Sequence, residues 1–188
     1  MPCLSKAASR LTLRIRPAGA ADVPELILVQ QSAMRQYARD SGLTAVQATQ
    51  QLAALRETAA DLQDFLRQPA QVLLLARELK ASGTEPETTD SREGRILGAL
   101  RLQPESRTAA YLTRFVVRPD CQSTGVGRAL FKQACTWLRQ QSYQQVYLHT
   151  AAANQHSMHF YQSLGFRLVS QSHDRGYARN LLCLILPE

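Results

Sequence analysis

The 188-residue chain is expected to fold as a mixed α/β (α+β) domain. Its centre would be a mostly antiparallel sheet of six to seven strands, flanked by about four helices. Two observations carry this expectation. The apolar pattern runs strand, two helices, then a block of strands, an order that suits an antiparallel front sheet. Further on, two helical stretches are interleaved with short apolar runs that can close the same sheet.

Each element has its own local reason. "LTLRIR" (11–16) alternates apolar and polar residues and reads as a first strand. "ADVPEL" opens a helix with Asp22 near the N-cap and Pro24 in the first turn, running to about Tyr37 or Arg39 before Gly42. Residues 44–66 carry a helical period in Val46, Leu52, Leu55, Leu62 and Leu66, ended by Pro69. The period then changes, and "QVLLLAREL" (71–79), "RILGALRL" (95–102) and "AAYLTRFVV" (109–117) read as buried strands. The polar, acidic segment 81–94 between the first two is expected to be a flexible hairpin tip. Residues 125–140 form an amphipathic helix with Val126, Leu130, Ala134, Trp137 and Leu138 on one stripe. "QVYLH" (145–149) is a short strand, 154–166 a helix capped by Gly165, and "RLVSQS" with "NLLCLIL" a closing hairpin.

Apolar residues make up 45% of the chain, enough for one core, so residues 11–188 are taken as a single domain behind a disordered basic tail (1–10). No run approaches the roughly 20 apolar residues that span a bilayer, and "MPCLSKAASR" lacks the apolar segment of a secretory signal. A cytoplasmic protein without a membrane partner is expected. The four cysteines are widely spaced, which suits free thiols; Cys135 and Cys183 fall in apolar patterns, whereas Cys121 is expected at the surface of a loop. The net charge of +7 is scattered rather than blocked and aromatics are few, so nucleic acid is disfavoured and a polyanionic small molecule is as good a reason for the charge.

The chemistry concentrates in "RFVVRPDCQSTGVGRAL" (114–130), where a strand stops at a proline and two glycines precede a helix. The unpaired N–H groups and positive dipole end of that helix make an anion seat, and glycine lets phosphate oxygens approach the backbone. A nucleoside-triphosphate loop would need a Lys-Ser/Thr pair after the glycine, which is missing. A dinucleotide turn would need a third glycine where Leu130 stands and an acidic residue about 20 positions on. No Asp or Glu occurs between Asp120 and Asp174.

"VVRPDCQSTGVGRAL" resembles the cofactor signature of the GNAT superfamily of N-acetyltransferases, Q/R-x-x-G-x-G/A, with Gln122, Gly125 and Gly127 in place. "NQHSMHFYQSLGF" is similar to that superfamily's second segment, N-x-x-x-x-x-x-Y-x-x-x-G-F, through Asn154, Tyr161, Gly165 and Phe166. The resemblance implies a sheet splayed in its middle and acetyl-CoA as cosubstrate. The CoA pyrophosphate would rest on the backbone of Gln122, Ser123, Thr124, Gly125, Val126 and Gly127, with Arg128 and Lys132 meeting phosphates. The backbone of Phe115, Val116 and Val117 would pair with pantetheine, and the Val117 amide would polarise the thioester carbonyl. Asn154 would bond the pantetheine arm, and Tyr161 would return a proton to the CoA thiolate. Where several relatives place a glutamate as base, this chain has His149; Glu105, Asp174 or a water chain are the alternatives. No metal is implied, since His149, His156 and His159 lack a further ligand.

The function so implied is direct acetyl transfer to a primary amine in a ternary complex, with a small-molecule amine favoured. Alternatives are a protein N-terminal or lysine acetyltransferase and a non-catalytic acyl-CoA sensor. A homodimer is left open.

Overall fold

One seven-stranded sheet organises the molecule, and the computed structural model describes residues 11–80 and 92–187 of it. In chain order the elements are β1 (Leu13–Pro17), α1 (Val23–Asp40), α2 (Ala45–Gln51), α3 (Ala59–Arg67), β2 (Val72–Leu79), β3 (Glu93–Pro104) and β4 (Ala109–Val117). These are followed by α4 (Val126–Gln140), β5 (Gln145–Ala151), α5 (Gln155–Ser163), β6 (Arg167–Ser172) and β7 (Arg179–Ile185). The sheet order is β1-β2-β3-β4-β5-β7-β6, and every pairing is antiparallel except β4 with β5. The expected mixed α/β class with a mostly antiparallel sheet is therefore the observed one.

Period-two alternation divides the sheet into two apolar faces. Leu73, Leu75, Ile96, Ala99 and Val116 face Val23, Leu26, Val29 and Ala33 of α1 and Leu62 of α3. Leu74, Leu97, Leu100 and Leu102 face the opposite way, against Val126, Leu130, Phe131, Ala134 and Leu138 of α4. Burial of each such side chain is worth roughly 2 kcal/mol, so α4 is held firmly and its first turn is fixed in place. Trp137, expected on that stripe, is only partly buried and stacks on Tyr143 at the helix end.

Two details differ from the sequence reading. The helical pattern of 44–66 is two helices, because Leu52 turns extended (φ −97°, ψ 92°) and a short 3-10 turn follows. Thr44 with Gln47, and Thr58 with Asp61, each form a capping box, so a new helix starts where the periodicity alone continues the old one. Most of the expected hairpin tip, 81–91, lies outside the described residues, as does the tail 1–10. Its last two residues belong to β3, where Glu93 is enclosed by Arg14, Arg16 and Arg77. Arg16 and Arg77 also clamp Asp22 at the start of α1, at 2.8 and 2.9 Å.

The sheet opens in its middle. β4 and β5 pair only at Ala109–Gln145, Ala110–Val146 and Tyr111–Tyr147, although both strands continue well beyond. At the start of the gap β4 is bulged. Ala99 and Arg101 of β3 pair with Val116 and Thr113, so Leu100 alone faces both Arg114 and Phe115, and Arg114 takes φ +50°. Across the gap, the hydroxyl of Tyr37 from α1 accepts the amide of Ala151 at 2.6 Å, supplying a partner that the splay denies to β5.

Candidate active site

Two cavities meet at this splay. The larger, 740 Å³, runs over the start of α4 and along α5, lined by Phe115, Val117, residues 121–125, Gly127, Arg128, His156, His159, Phe160 and Tyr161. The smaller, 410 Å³, lies on the other side of Tyr161, between α1, the α2–α3 link, β4, β5 and the β6–β7 turn. Phe115, Ser157 and Tyr161 line both.

The floor of the larger cavity is an anion seat made of main chain. The amide of Gln122 turns back to Pro119, and that of Ala129 begins the regular ladder of α4 by bonding Gly125. Among the described residues, no acceptor is found for the six amides in between, 123–128. Ser123 (φ +62°) and Gly125 (φ +93°) adopt left-handed conformations, which curl consecutive N–H groups toward one point. A Cβ on Gly125 would meet nothing within 4 Å, so its glycine serves the backbone angle. Gly127 has a different reason: a Cβ there would lie 3.0 Å from the Phe160 ring, so its bareness lets α5 approach α4.

Around the seat, Arg128 lines the cavity and donates to Ser163 at 3.0 Å. Lys132, expected beside it, is exposed and does not line either cavity, because it lies on the outward face of α4. Val126 is fully buried in the core and can offer only its amide. The Val116 side chain likewise points into the α1 core. Cys121, expected exposed, is buried, and both burial and the neighbouring Asp120 push its thiol pKa up, away from nucleophilic behaviour.

Strand alternation orients the β4 backbone. The amide of Arg118 bonds Leu97 of β3 at 2.8 Å, so the N–H of Val117 faces the opposite, splayed side. Tyr161 stands over the same gap, its ring wedged among Phe115, Phe160 and Phe166 at centroid distances of 5.5–6.2 Å. Its hydroxyl makes no hydrogen bond among the described residues, and burial pushes the phenol pKa well above its ordinary value. It therefore keeps its proton near neutrality.

Asn154 does not share that gap. It is 1% exposed; its Oδ1 caps α5 by accepting the Ser157 amide at 2.9 Å, and its Nδ2 reaches Ser41 at 3.2 Å. Both polar ends are engaged, and the residue ties the entry of α5 to the end of α1.

In the smaller cavity His149 Nδ1 lies 2.5 Å from the Tyr111 hydroxyl. Burial, and then the charge of Arg179, pull the imidazole pKa below its ordinary value, so the ring is neutral at pH 7. Of the other base candidates, Asp174 is bound to Arg179 and Ser172, and Glu105 is exposed; neither lines the cavity. The three histidines are not gathered, since His149 sits in one cavity and His156 and His159 in the other. Among the described residues no group of three or more His, Cys, Asp or Glu is placed to hold a metal, and no helix is long and apolar enough to cross a membrane.

Sequence reasoning missed Tyr37, Arg114, Arg175 and Tyr177, which also line the smaller cavity. They come from three separate segments, α1, β4 and the β6–β7 turn, and only the sheet brings them together. His156, His159 and Phe160, by contrast, lie on the motif-bearing helix and could have been found from its spacing.

A sheet that parts beside a run of unpaired amides has the geometry to take an extended, anionic ligand between two strands. Residues 54–166 match the family model described as Acetyltransferase (GNAT) family. The chain belongs to that family. PaiA N-acetyltransferase from Thermoplasma acidophilum, in complex with coenzyme A, superposes with a TM-score of 0.74 at 16% identity, over 93% of this chain and 99% of that one. YncA from Salmonella typhimurium, with its cofactor acetyl-CoA, gives a TM-score of 0.68 at 18% identity, covering 94% and 95%. Spermidine N-acetyltransferase from Vibrio cholerae, in complex with CoA and spermine, gives 0.65 at 14% identity, covering 93% and 95%. No curated protein matches the sequence significantly.

Proposed function

We propose that the protein transfers an acetyl group from acetyl-CoA to the primary amine of a small molecule, directly and without a covalent enzyme intermediate. The observation that carries this reading is the run of six unpaired amides, 123–128, opening onto the strand splay with Tyr161 above it. That backbone suits a pyrophosphate, and the free edge of β4 suits the amide-rich arm of the same ligand. The 740 Å³ cleft has the room for a ligand of that length, and the second cavity admits an acceptor to its far end.

The roles follow from position. The N–H of Val117 faces the gap and stabilises charge developing on the thioester oxygen. With Nδ1–H donated to Tyr111, His149 keeps the Nε2 lone pair for the proton of the attacking amine. The amine nitrogen bonds to the acetyl carbon, the carbon–sulfur bond breaks, and Tyr161 gives its proton to the departing sulfur. Exchange with water then restores both side chains. Asn154 acts at one remove, by fixing the start of α5 and hence the position of Tyr161.

Thiol release from acetyl-CoA, followed across a panel of small amines and peptide N-termini, tests the reading. Amine-dependent release with formation of the acetylated small molecule is expected. Tight acetyl-CoA binding with no release on any acceptor would instead mark a sensor, and release only with peptides would mark a protein acetyltransferase.

A further inference from the structure

The acceptor cavity has a charge character that an amine site does not require. Of the residues lining it, three are arginines (Arg114, Arg175 and Arg179) and, among the described residues, none is Asp or Glu. A pocket that gathers several ammonium groups needs carboxylates to balance them, so a lining with three guanidinium groups and no carboxylate speaks against a polycationic acceptor.

The arginines differ in what they already hold. Arg179 is neutralised by Asp174 at 2.6 Å. Arg114 has one acidic neighbour, Glu57, but only through Nε at 3.7 Å, beyond hydrogen-bond reach. Both Glu57 oxygens are taken by Arg101, at 2.7 and 2.6 Å, and one also by Gln30. The Nε of Arg114 is buried without a hydrogen-bond partner. Arg175, on the β6–β7 turn, likewise has no ion pair or hydrogen bond among the described residues. Two arginines with unused donors therefore line a cavity that His149 also lines.

Resting on the acetyl-transfer reading above, we infer that the acceptor is an aminocarboxylate, an amine whose own carboxylate is held by Arg114 and Arg175 while its nitrogen faces His149. A guanidinium fork matches a carboxylate through two parallel hydrogen bonds, and the 410 Å³ cavity suits a molecule the size of one amino acid or a short peptide acid. The remaining walls, among them Met34, Tyr37, Leu52 and Tyr177, favour an apolar or aromatic side chain on that acceptor. The transfer consumes acetyl-CoA and the aminocarboxylate and yields the N-acetylaminocarboxylate and the CoA thiol.

The test uses a matched series: L-phenylalanine, L-phenylalaninamide, phenethylamine and spermidine, each with the full-length protein. Turnover is read by thiol release with acetyl-CoA, and acceptor binding by calorimetry in the presence of CoA. The amide is intrinsically the better nucleophile near neutrality, because its amine is less basic, so a preference for the acid must come from the site. We expect kcat/KM for phenylalanine to exceed that for its amide by about ten- to a hundredfold. Arg175→Gln, on an exposed turn, and Arg114→Gln should each shrink that ratio toward one; the exposed variant keeps the test valid should the other fold poorly. Equal or faster turnover of the amide, phenethylamine or spermidine overturns the inference and leaves the acetyl-transfer reading standing. Carboxylate-selective binding that is lost in Arg175→Gln, with no turnover, supports the inference and removes the acetyl-transfer reading. No binding and no turnover of the acid overturns the inference.

Discussion

The Tyr111 hydroxyl and His149 Nδ1 lie 2.5 Å apart, at the last residue pair before β4 and β5 separate. Tyr111 still pairs with Tyr147, and His149, two residues on, faces the open gap. The splay thus leaves a neutral imidazole anchored at one nitrogen and open at the other.

This pairing predicts a pH dependence. Burial and Arg179 lower the His149 pKa from the ordinary 6.5, so the basic form persists below that pH. The kcat profile should accordingly hold level through pH 7 and fall only as pH drops below about 6.5. His149→Gln should reduce kcat by about 10²- to 10⁴-fold and abolish that acid limb. Tyr111→Phe should reduce kcat less and keep the limb, because the imidazole remains. Steady-state kinetics from pH 5 to 8, as a rough range chosen around the histidine value, check both.

Tyr161 is held at the junction of the two cavities and stays protonated. Tyr161→Phe preserves the ring packing against Phe115 and Phe166 while removing the donor. We expect kcat to fall about a hundredfold with acetyl-CoA affinity changed less than about twofold. Unchanged turnover would remove the residue from the chemistry.

Gly127 and Phe160 should be energetically coupled. Gly127→Ala introduces a methyl 3.0 Å from a ring atom of Phe160 and must displace α5 or strain the contact, a cost of about 1–3 kcal/mol. Phe160→Leu alone loses aromatic packing with Phe115. The double variant should be more stable than the sum of the two predicts, by about 1 kcal/mol in urea unfolding. Additive effects would mean that the helices do not meet there.

Asp22 is a stability switch at acid pH. Burial alone would raise its pKa, but bonds from Arg16, the Gly19 amide and Arg77 outweigh that and hold it at about 2 rather than 3.8. A depressed carboxylate contributes its stability in full above the unfolded value and loses it as pH falls through the folded one. Asp22→Asn should therefore destabilise the protein by about 3 kcal/mol at pH 7, leaving Arg16 and Arg77 short of a counter-charge. The deficit should shrink as pH falls from about 4 toward 2, which paired urea titrations would show.

Much of the larger cavity was legible in the chain because its information is local. The left-handed turn at Gly125 is set by the glycine there, and the unpaired amides follow from where α4 starts. Tyr161 was legible through its spacing from Gly165, whose φ of +96° ends α5. Even here local reasoning had a limit. Asn154 and Tyr161 share a helix face by count, yet Asn154 caps its helix and turns to Ser41, just past the end of α1. The break at Leu52 was hidden by leucine spacing, although the Thr58–Asp61 capping box was written in the residues.

By itself, then, the sequence determined the mixed α/β class, the turn into α4 and the neighbourhood of Tyr161, because backbone angle, capping and periodicity are properties of adjacent residues. Only the tertiary structure decided the smaller cavity. The gap between β4 and β5 exists because three pairs form and the rest do not. Tyr37, Arg114, His149 and Arg175 line one cavity only because α1, the bulged β4, β5 and the β6–β7 turn fold back on the same opening. Which charges remain unpaired there depends on where Glu57 and Asp174 are engaged, and that is a matter of distance across the fold rather than along the chain.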